Sequence, residues 1–176
     1  MFLDRVQKEA FGPQFEVAEP VSYSTQQWER EIFLRLLTNR TGWKVLVVWP
    51  SLGSEIQIMA NQLGEKGELV IVGTNSAVLE QLKANKQKGI YTTRTTKNLQ
   101  GNAVYKRDAK IQAAVHIETF DGLSLEFEDN SFDAAWCASH GQPLTTELPK
   151  SLVDDLYRVV RPDGYLAISQ PSAVFA

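Results

Sequence analysis

A cysteine, a serine and a histidine stand close together in the second half of the chain. Cys137, Ser139 and His140 come at the end of a short apolar run and in the loop after it. A thiol or hydroxyl beside an imidazole can act in nucleophilic catalysis, and Cys with His can bind metal ions. No further ligand follows at a suitable spacing, so the sequence favours neither chemistry. His140 and Ser139 remain candidates for facing a substrate, because loops at the carboxyl ends of parallel strands often form active sites.

Other polar residues have a structural interpretation beside a chemical one. His116 lies within an apolar run, and we expect it to be a packed strand residue. Asp121 precedes a glycine, so it is either a turn residue or an acceptor for a ligand. Glu126 and Glu128 belong to a polar turn and are predicted to be solvated. The sequence has no P-loop, HExxH motif or nucleophile elbow, and we predict no metal site.

Charge is distributed unevenly along the 176 residues. Segment 83–110 has eight basic residues against one acid, Asp108, so it carries +7 while the rest of the chain carries −10. Segment 111–149 has no Lys or Arg. This separation could attract an anionic partner or an oppositely charged protein, or the basic segment could fold over the chain's own acidic edge. Nucleic acid is disfavoured, because the chain is acidic and Tyr91 and Tyr105 do not alternate regularly with the cations.

Composition predicts one globular domain over residues 1–176. The chain is 43% hydrophobic and 22% charged, and no apolar stretch approaches the roughly 20 residues that span a bilayer. Charged residues interrupt the N-terminal apolar positions, which argues against a signal peptide. A single cysteine excludes an intrachain disulfide and fits a reducing compartment. We therefore predict a cytoplasmic protein with no membrane partner.

Hydrophobic periodicity predicts alternating strands and helices. After a lead-in over 1–23, the predicted helices are 28–38, 53–63, 76–88 and 148–160, and the predicted strands are 45–48, 69–72, 113–117, 134–138 and 165–168. Segment 89–110 is predicted to be a basic insertion loop or a hairpin. Arg161-Pro-Asp-Gly164 ends the last helix, since proline lacks a donor and glycine accepts a positive φ. The order predicts an α/β fold: a doubly wound, mostly parallel sheet of about five strands with helices on both faces.

Two stretches resemble the class I S-adenosylmethionine-dependent methyltransferases of the type 11 kind. They are Leu125-Glu-Phe-Glu-Asp-Asn-Ser-Phe-Asp133 and Leu156-Tyr-Arg-Val-Val-Arg-Pro-Asp-Gly-Tyr-Leu-Ala-Ile168. The resemblance extends over about Trp43 to Pro171 and implies a Rossmann-like methyltransferase fold. The two motifs set turns and packing, so they indicate the fold more strongly than the activity.

The positions that would hold the cofactor depart from the family's pattern. The family's acid-x-Gly-x-Gly-x-Gly motif aligns with Val47-Val-Trp-Pro-Ser-Leu-Gly53, so Val47 replaces the acid and only Gly53 matches. Trp49 and Ser51 replace the first two glycines, which let the backbone approach the ligand closely. The indole of Trp49 should therefore either fill the cofactor pocket or force the loop elsewhere.

The remaining cofactor positions are mixed. Gly73 stands where the family has an acid that binds both ribose hydroxyls, and Asn75 could replace that contact only weakly. Asp121 matches the acid that accepts from the adenine amino group. If S-adenosylmethionine binds at all, the resemblance implies Gly53, Gly73, Asn75 and Asp121 as its contacts. It assigns no catalytic residue.

These departures predict a methyltransferase-like domain that has lost productive cofactor binding and acts as a protein-binding or scaffolding subunit. The alternative is an active methyltransferase, or a repurposed small-molecule enzyme, with an altered pocket. The family's sheet usually continues with a helix and an antiparallel hairpin, for which this sequence has no counterpart after the fifth strand. We therefore expect another chain or a second copy to cover that edge, and an anionic partner is possible at Lys83–Lys110.

Overall fold

The computed structural model describes residues 32–50, 55–88, 93–97, 103–107, 113–138 and 148–169. Residues 32–36 are helical, and the predicted lead-in 1–23 and the first part of the predicted helix 28–38 lie outside the described residues. The elements that follow are β1 (Lys44–Val48), α1 (Glu55–Leu63), β2 (Glu68–Gly73), α2 (Ser76–Gln87), β3 (Thr93–Lys97), β4 (Ala103–Arg107), β5 (Ala114–Thr119), β6 (Phe132–Ala138), α3 (Lys150–Val159) and β7 (Val160–Ser169). Within these ranges, no helix has the length and apolar character needed to cross a membrane.

Five parallel strands form the main sheet in the order β5-β2-β1-β6-β7. The central strand β1 is apolar on both faces because helices cover both. Val45 and Val47 belong to the core that includes α1 and α2, whereas Leu46 and Val48 belong to the core that includes α3. The doubly wound parallel fold predicted from the sequence is therefore confirmed.

The last strand begins earlier than the sequence predicted. Helix α3 ends at Val159, and Val160 already has extended backbone and pairs with Phe132. The ladder then becomes irregular and resumes where Tyr165 pairs with Ala134. Segment 161–164 is therefore a bulged part of β7 rather than a separate turn.

The predicted reason for Gly164 is wrong, because Gly164 is not among the residues with positive φ. A Cβ on Gly164 would lie 2.6 Å from the carbonyl oxygen of Asp133 and 2.6 Å from Cγ1 of Val160. Glycine is required here because β7 passes too close to β6 for any side chain.

The basic insertion contains a hairpin, one of the two forms expected from the sequence. Strands β3 and β4 pair antiparallel in a separate two-stranded sheet. The chain enters it after α2 and leaves it towards β5.

One arginine joins the two stretches that resemble the methyltransferase motifs. The guanidinium of Arg158 donates to the carbonyl oxygens of Leu125 (2.8 Å) and Phe127 (2.6 Å), and to the carboxylates of Asp129 (2.8 Å) and Asp155 (2.9 Å). Asp155 also accepts from the backbone N–H of Leu125. Helix α3 therefore holds the segment before β6 by charge-assisted hydrogen bonds, and those to Asp129 and Asp155 raise the pKa of Arg158.

Replacing Arg158 with Met keeps the apolar stem and removes the guanidinium. We expect the free energy of unfolding to fall by about 2–3 kcal/mol, because two carbonyls and two carboxylates lose their donor. Urea denaturation measures the change. Lys83→Met is the control: Lys83 forms one exposed ion pair, with Glu80, and its loss should cost less than about 0.5 kcal/mol. Equal, small effects of both substitutions would contradict the role of Arg158.

Candidate functional site: the cleft after β1 and β2

The site predicted from the sequence lies at the carboxyl ends of β1, β2 and β5. Strand β1 has β2 as its neighbour on one side and β6 on the other. The chain builds the sheet from β1 towards β5 first and then from β6 towards β7, so the strand order reverses at β1. In open parallel sheets, ligands bind in the crevice at such a reversal. Trp49 directly follows β1, Thr74 follows β2 and Phe120 follows β5.

Trp49 occupies this crevice in a backbone conformation that suits glycine. Its φ is +56°, and its side chain is only 3% exposed. The ring lies 5.6 Å from the ring of Phe120, and the backbone N–H donates to the carbonyl oxygen of Val72 at 2.8 Å. The indole Nε1 is buried without a hydrogen-bond partner among the described residues. The structure therefore has the buried ring of Trp49 in the crevice, whereas loop residues 51–54 lie outside the described residues.

Little space remains beside the indole. The cavity between Trp49, Pro50, the end of β2 and the first turns of α2 has a volume of about 10 Å³. That is about the space one water molecule needs. The cavity lined by these residues is therefore much smaller than an adenosyl group.

Gly73 ends β2 at the position where the family has its ribose-binding acid. A Cβ on Gly73 would lie 3.2 Å from Cδ2 of Leu79, which is buried in α2. A side chain at position 73 would therefore require Leu79 to move. The sequence identified the missing acid and predicted a helix over 76–88, but it did not reveal that Leu79 of this helix lies against position 73.

Asn75 caps α2. Its side-chain oxygen accepts from the backbone N–H groups of Ala77 (3.0 Å) and Val78 (3.3 Å). This satisfies two donors at the start of the helix. The oxygen is thus already engaged, and a ribose contact by Asn75 stays a prediction.

Asp121 forms a turn at the rim of the crevice. One carboxylate oxygen accepts from the backbone N–H groups of Leu123 (2.7 Å) and Ser124 (3.0 Å), and these bonds lower the pKa of Asp121. Gly122 has a φ of +86°, and a Cβ there would lie 3.2 Å from Cγ2 of Thr74. The turn interpretation of Asp121 therefore has direct structural support, and its contact with an adenine stays a prediction.

The described residues do not fit S-adenosylmethionine, the cofactor that the family resemblance implies. The crevice contains an indole, has no carboxylate at the end of β2 and leaves space for about one water. Ser51 and Gly53 of the first motif lie outside the described residues, as do Ser139 and His140.

The two remaining candidates for chemistry are not arranged for it. Cys137 is fully buried in β6, and burial raises the pKa of its thiol to about 12, so it is not a ready nucleophile. His116 was expected to be packed, and that prediction is wrong: its side chain is 48% exposed, with Nε2 3.7 Å from Glu68. β5 is an edge strand, so its outer positions face solvent. The described residues include no group of three His, Cys, Asp or Glu able to hold a metal ion.

Comparison with known proteins identifies relatives of this fold. The model of the family described as "Methyltransferase domain" matches residues 53–168. The structure resembles a SAM-dependent methyltransferase from Aquifex aeolicus (TM-score 0.54, 18% identity), the YcgJ protein from Bacillus subtilis (0.52, 18%) and YjhP from E. coli (0.51, 14%). At these identities the likeness concerns the fold alone.

The matched structures differ from this chain in length. The matches cover 85%, 80% and 93% of this chain, but only 71%, 50% and 55% of the respective relatives. Comparison with curated proteins found no match.

The left-handed backbone at Trp49 gives a test that separates backbone strain from side-chain burial. Trp49→Ala should cost about 3–5 kcal/mol of stability through loss of the buried ring. Trp49→Gly should be more stable than Trp49→Ala by about 1 kcal/mol, because glycine adopts positive φ without strain. Chemical denaturation of the two variants measures the difference.

Trp43 is the matched control, since it is not among the residues with positive φ. There the order should reverse, with Trp43→Ala more stable than Trp43→Gly by about 0.5–1 kcal/mol. The same order at both positions would contradict a left-handed residue 49.

Proposed function

The chain belongs to the class I S-adenosylmethionine-dependent methyltransferase family, and from this premise we propose that it is a member without productive cofactor binding. In this proposal it serves as a protein-binding or scaffolding subunit. The observation that carries the proposal is the buried indole of Trp49 in the crevice where the strand order reverses.

Loss of the acid at position 73 supports the same conclusion independently. A carboxylate that binds both ribose hydroxyls makes two charge-assisted hydrogen bonds, worth about 1.5–3 kcal/mol each. Their absence corresponds to about two to four orders of magnitude in affinity. Leu79 lies close to this position, so a side chain at position 73 requires Leu79 to shift.

An active methyltransferase with an altered pocket is the second candidate. Two observations favour it: the family match over 53–168, and the exposed carboxylate of Asp121 at the rim of the crevice. In that case S-adenosylmethionine would supply the methyl group, with Gly53, Asn75 and Asp121 as contacts and Ser139 or His140 facing the substrate. The crevice as described does not fit the cofactor, so this candidate requires Trp49 to leave it.

The binding role is proposed from the exposed side of β7. Among the described residues, β7 pairs with β6 and has no strand on its other side. Tyr165, Leu166 and Ile168 are half-buried, so the outer strand combines apolar side chains with unpaired backbone groups. Such an edge accepts a further strand readily. We propose that a segment of a partner chain or of a second copy covers it.

Calorimetric titration with S-adenosylmethionine and with S-adenosylhomocysteine tests the loss of cofactor binding. We expect no binding in the millimolar range by the wild-type chain, because the indole and the missing acid remove both space and charge. The matched variant combines Trp49→Gly, Gly73→Asp and Leu79→Ala, and we expect it to gain measurable affinity if it remains folded by circular dichroism. Sub-millimolar binding by the wild-type chain would contradict the proposal.

Hydrogen exchange tests the edge role separately. In roughly 0.5 M NaCl, where charges are screened beyond roughly 4 Å, amide protection in β7 should rise with protein concentration as the edge becomes covered. Light scattering on the same samples should show association. Strand β5, at the opposite edge of the sheet, is the internal control and should not change. A stable monomer with unchanged exchange in β7 at all concentrations would exclude self-association through this edge. If, in addition, no other protein bound at β7, the proposed binding role of this edge would be contradicted.

A further inference from the structure

The hairpin β3–β4 concentrates positive charge on an isolated piece of sheet. Segment 93–107 has four basic residues and no acid. The register pairs Arg94 directly with Lys106, and Arg107 with Thr93. Directly opposed like charges destabilise an antiparallel pair.

The hairpin has only two strands, and no other described helix or strand packs extensively against it. A lone two-stranded hairpin is at best marginally stable in water. Negative charge from another surface would therefore stabilise the hairpin.

A surface of opposite charge lies elsewhere on the same chain. Glu118, Asp121, Glu126 and Glu128 are exposed, and segment 113–138 has no Lys or Arg. We call these four residues the acidic band. The part of the band with Glu126 and Glu128 is held against α3 by the hydrogen bonds of Arg158. The hairpin instead follows α2, whose buried residues belong to the core on the other face of the sheet.

We propose that the hairpin of one copy docks on the acidic band of a second copy of this chain. The hairpin follows the helix on one face of the sheet, whereas Glu126 and Glu128 lie beside α3 on the other face. A contact between copies brings these charges together without folding the hairpin across its own sheet. In a twofold dimer each copy contributes one hairpin and one band, which gives two equivalent contacts.

Charge favours a second copy over a nucleic acid as the occupant. Outside segment 83–110 the chain carries −10. That charge repels a polyanion approaching the hairpin, but attracts the hairpin of another copy. The proposal does not depend on the loss of cofactor binding.

Sedimentation velocity on the full chain at low and high salt tests the proposal. We expect reversible dimers in about 50 mM NaCl and a dissociation constant about tenfold weaker or more in about 500 mM NaCl, because screening shortens the reach of exposed charges. Arg94→Glu with Lys106→Glu should abolish the low-salt dimer. The two acids again stand opposite each other, so the like-charge repulsion within the hairpin stays and only the sign of the charge changes.

Complementation identifies the opposing surface. Glu126→Lys with Glu128→Lys should also give a monomer, whereas a mixture of this variant with the hairpin variant should form a heterodimer. Lys66→Glu with Lys150→Glu is the control: it changes the net charge as much as the hairpin variant does, at exposed residues outside the hairpin. The control variant should still form the low-salt dimer. Mixed with the band variant, it should not form the heterodimer that the hairpin variant forms.

Several results would overturn the proposal. A monomer at low salt at all concentrations would do so, even if the hairpin then bound a DNA oligonucleotide or folded on its own chain. Association that neither salt nor hairpin reversal changes would also overturn it, and would point to the β7 edge. Failure of the two reversed variants to pair would exclude the acidic band as the docking surface.

Discussion

The cleft side of this fold depends on one constraint: an indole carried by a left-handed residue at the end of the central strand. Trp49 has a positive φ, which is typical of glycine, and its side chain is buried in the core. Its ring packs beside Phe120, and its backbone N–H donates to the carbonyl oxygen of Val72. Residue 49 therefore links the end of β1 to β2 through its backbone and to the end of β5 through its ring. Moving the ring out of the crevice would remove a buried side chain from the core, so an empty crevice would lower the stability of the fold.

The packing motifs of the family persist for reasons that do not involve the cleft. Arg158 binds the segment before β6 to α3, Asp133 accepts from the backbone N–H of Lys44 at 2.7 Å, and Gly164 lets β7 approach β6. None of these residues lines the crevice. Substitutions at the crevice therefore leave these contacts in place, since separated sites contribute nearly independently to stability. This separation explains why the fold is easy to recognise in a chain whose cofactor motifs have changed.

Most of the fold was predictable because each buried strand is a short apolar run and each helix has one apolar stripe. The errors arose where a contact distant in sequence decides the outcome. His116 looked packed from its neighbours, but β5 is an edge strand, and only the strand order reveals this. Gly164 looked like a turn residue, whereas the nearby carbonyl of Asp133 requires it. At the site, the sequence indicated that Trp49 and Gly73 are unusual, but the closeness of Leu79 depends on how α2 packs.

The structure thus describes a methyltransferase fold in which the buried ring of Trp49 lies at the end of the central strand, where the strand order reverses. The most direct test is ¹⁹F NMR of protein labelled with 5-fluorotryptophan, with the Trp49 resonance assigned from a Trp49→Phe variant. We predict that this resonance has the environment of a buried ring and does not shift when S-adenosylhomocysteine is added. A saturable shift of the Trp49 signal, with the other tryptophans unaffected, would mean that the nucleoside displaces the indole, and would contradict the account.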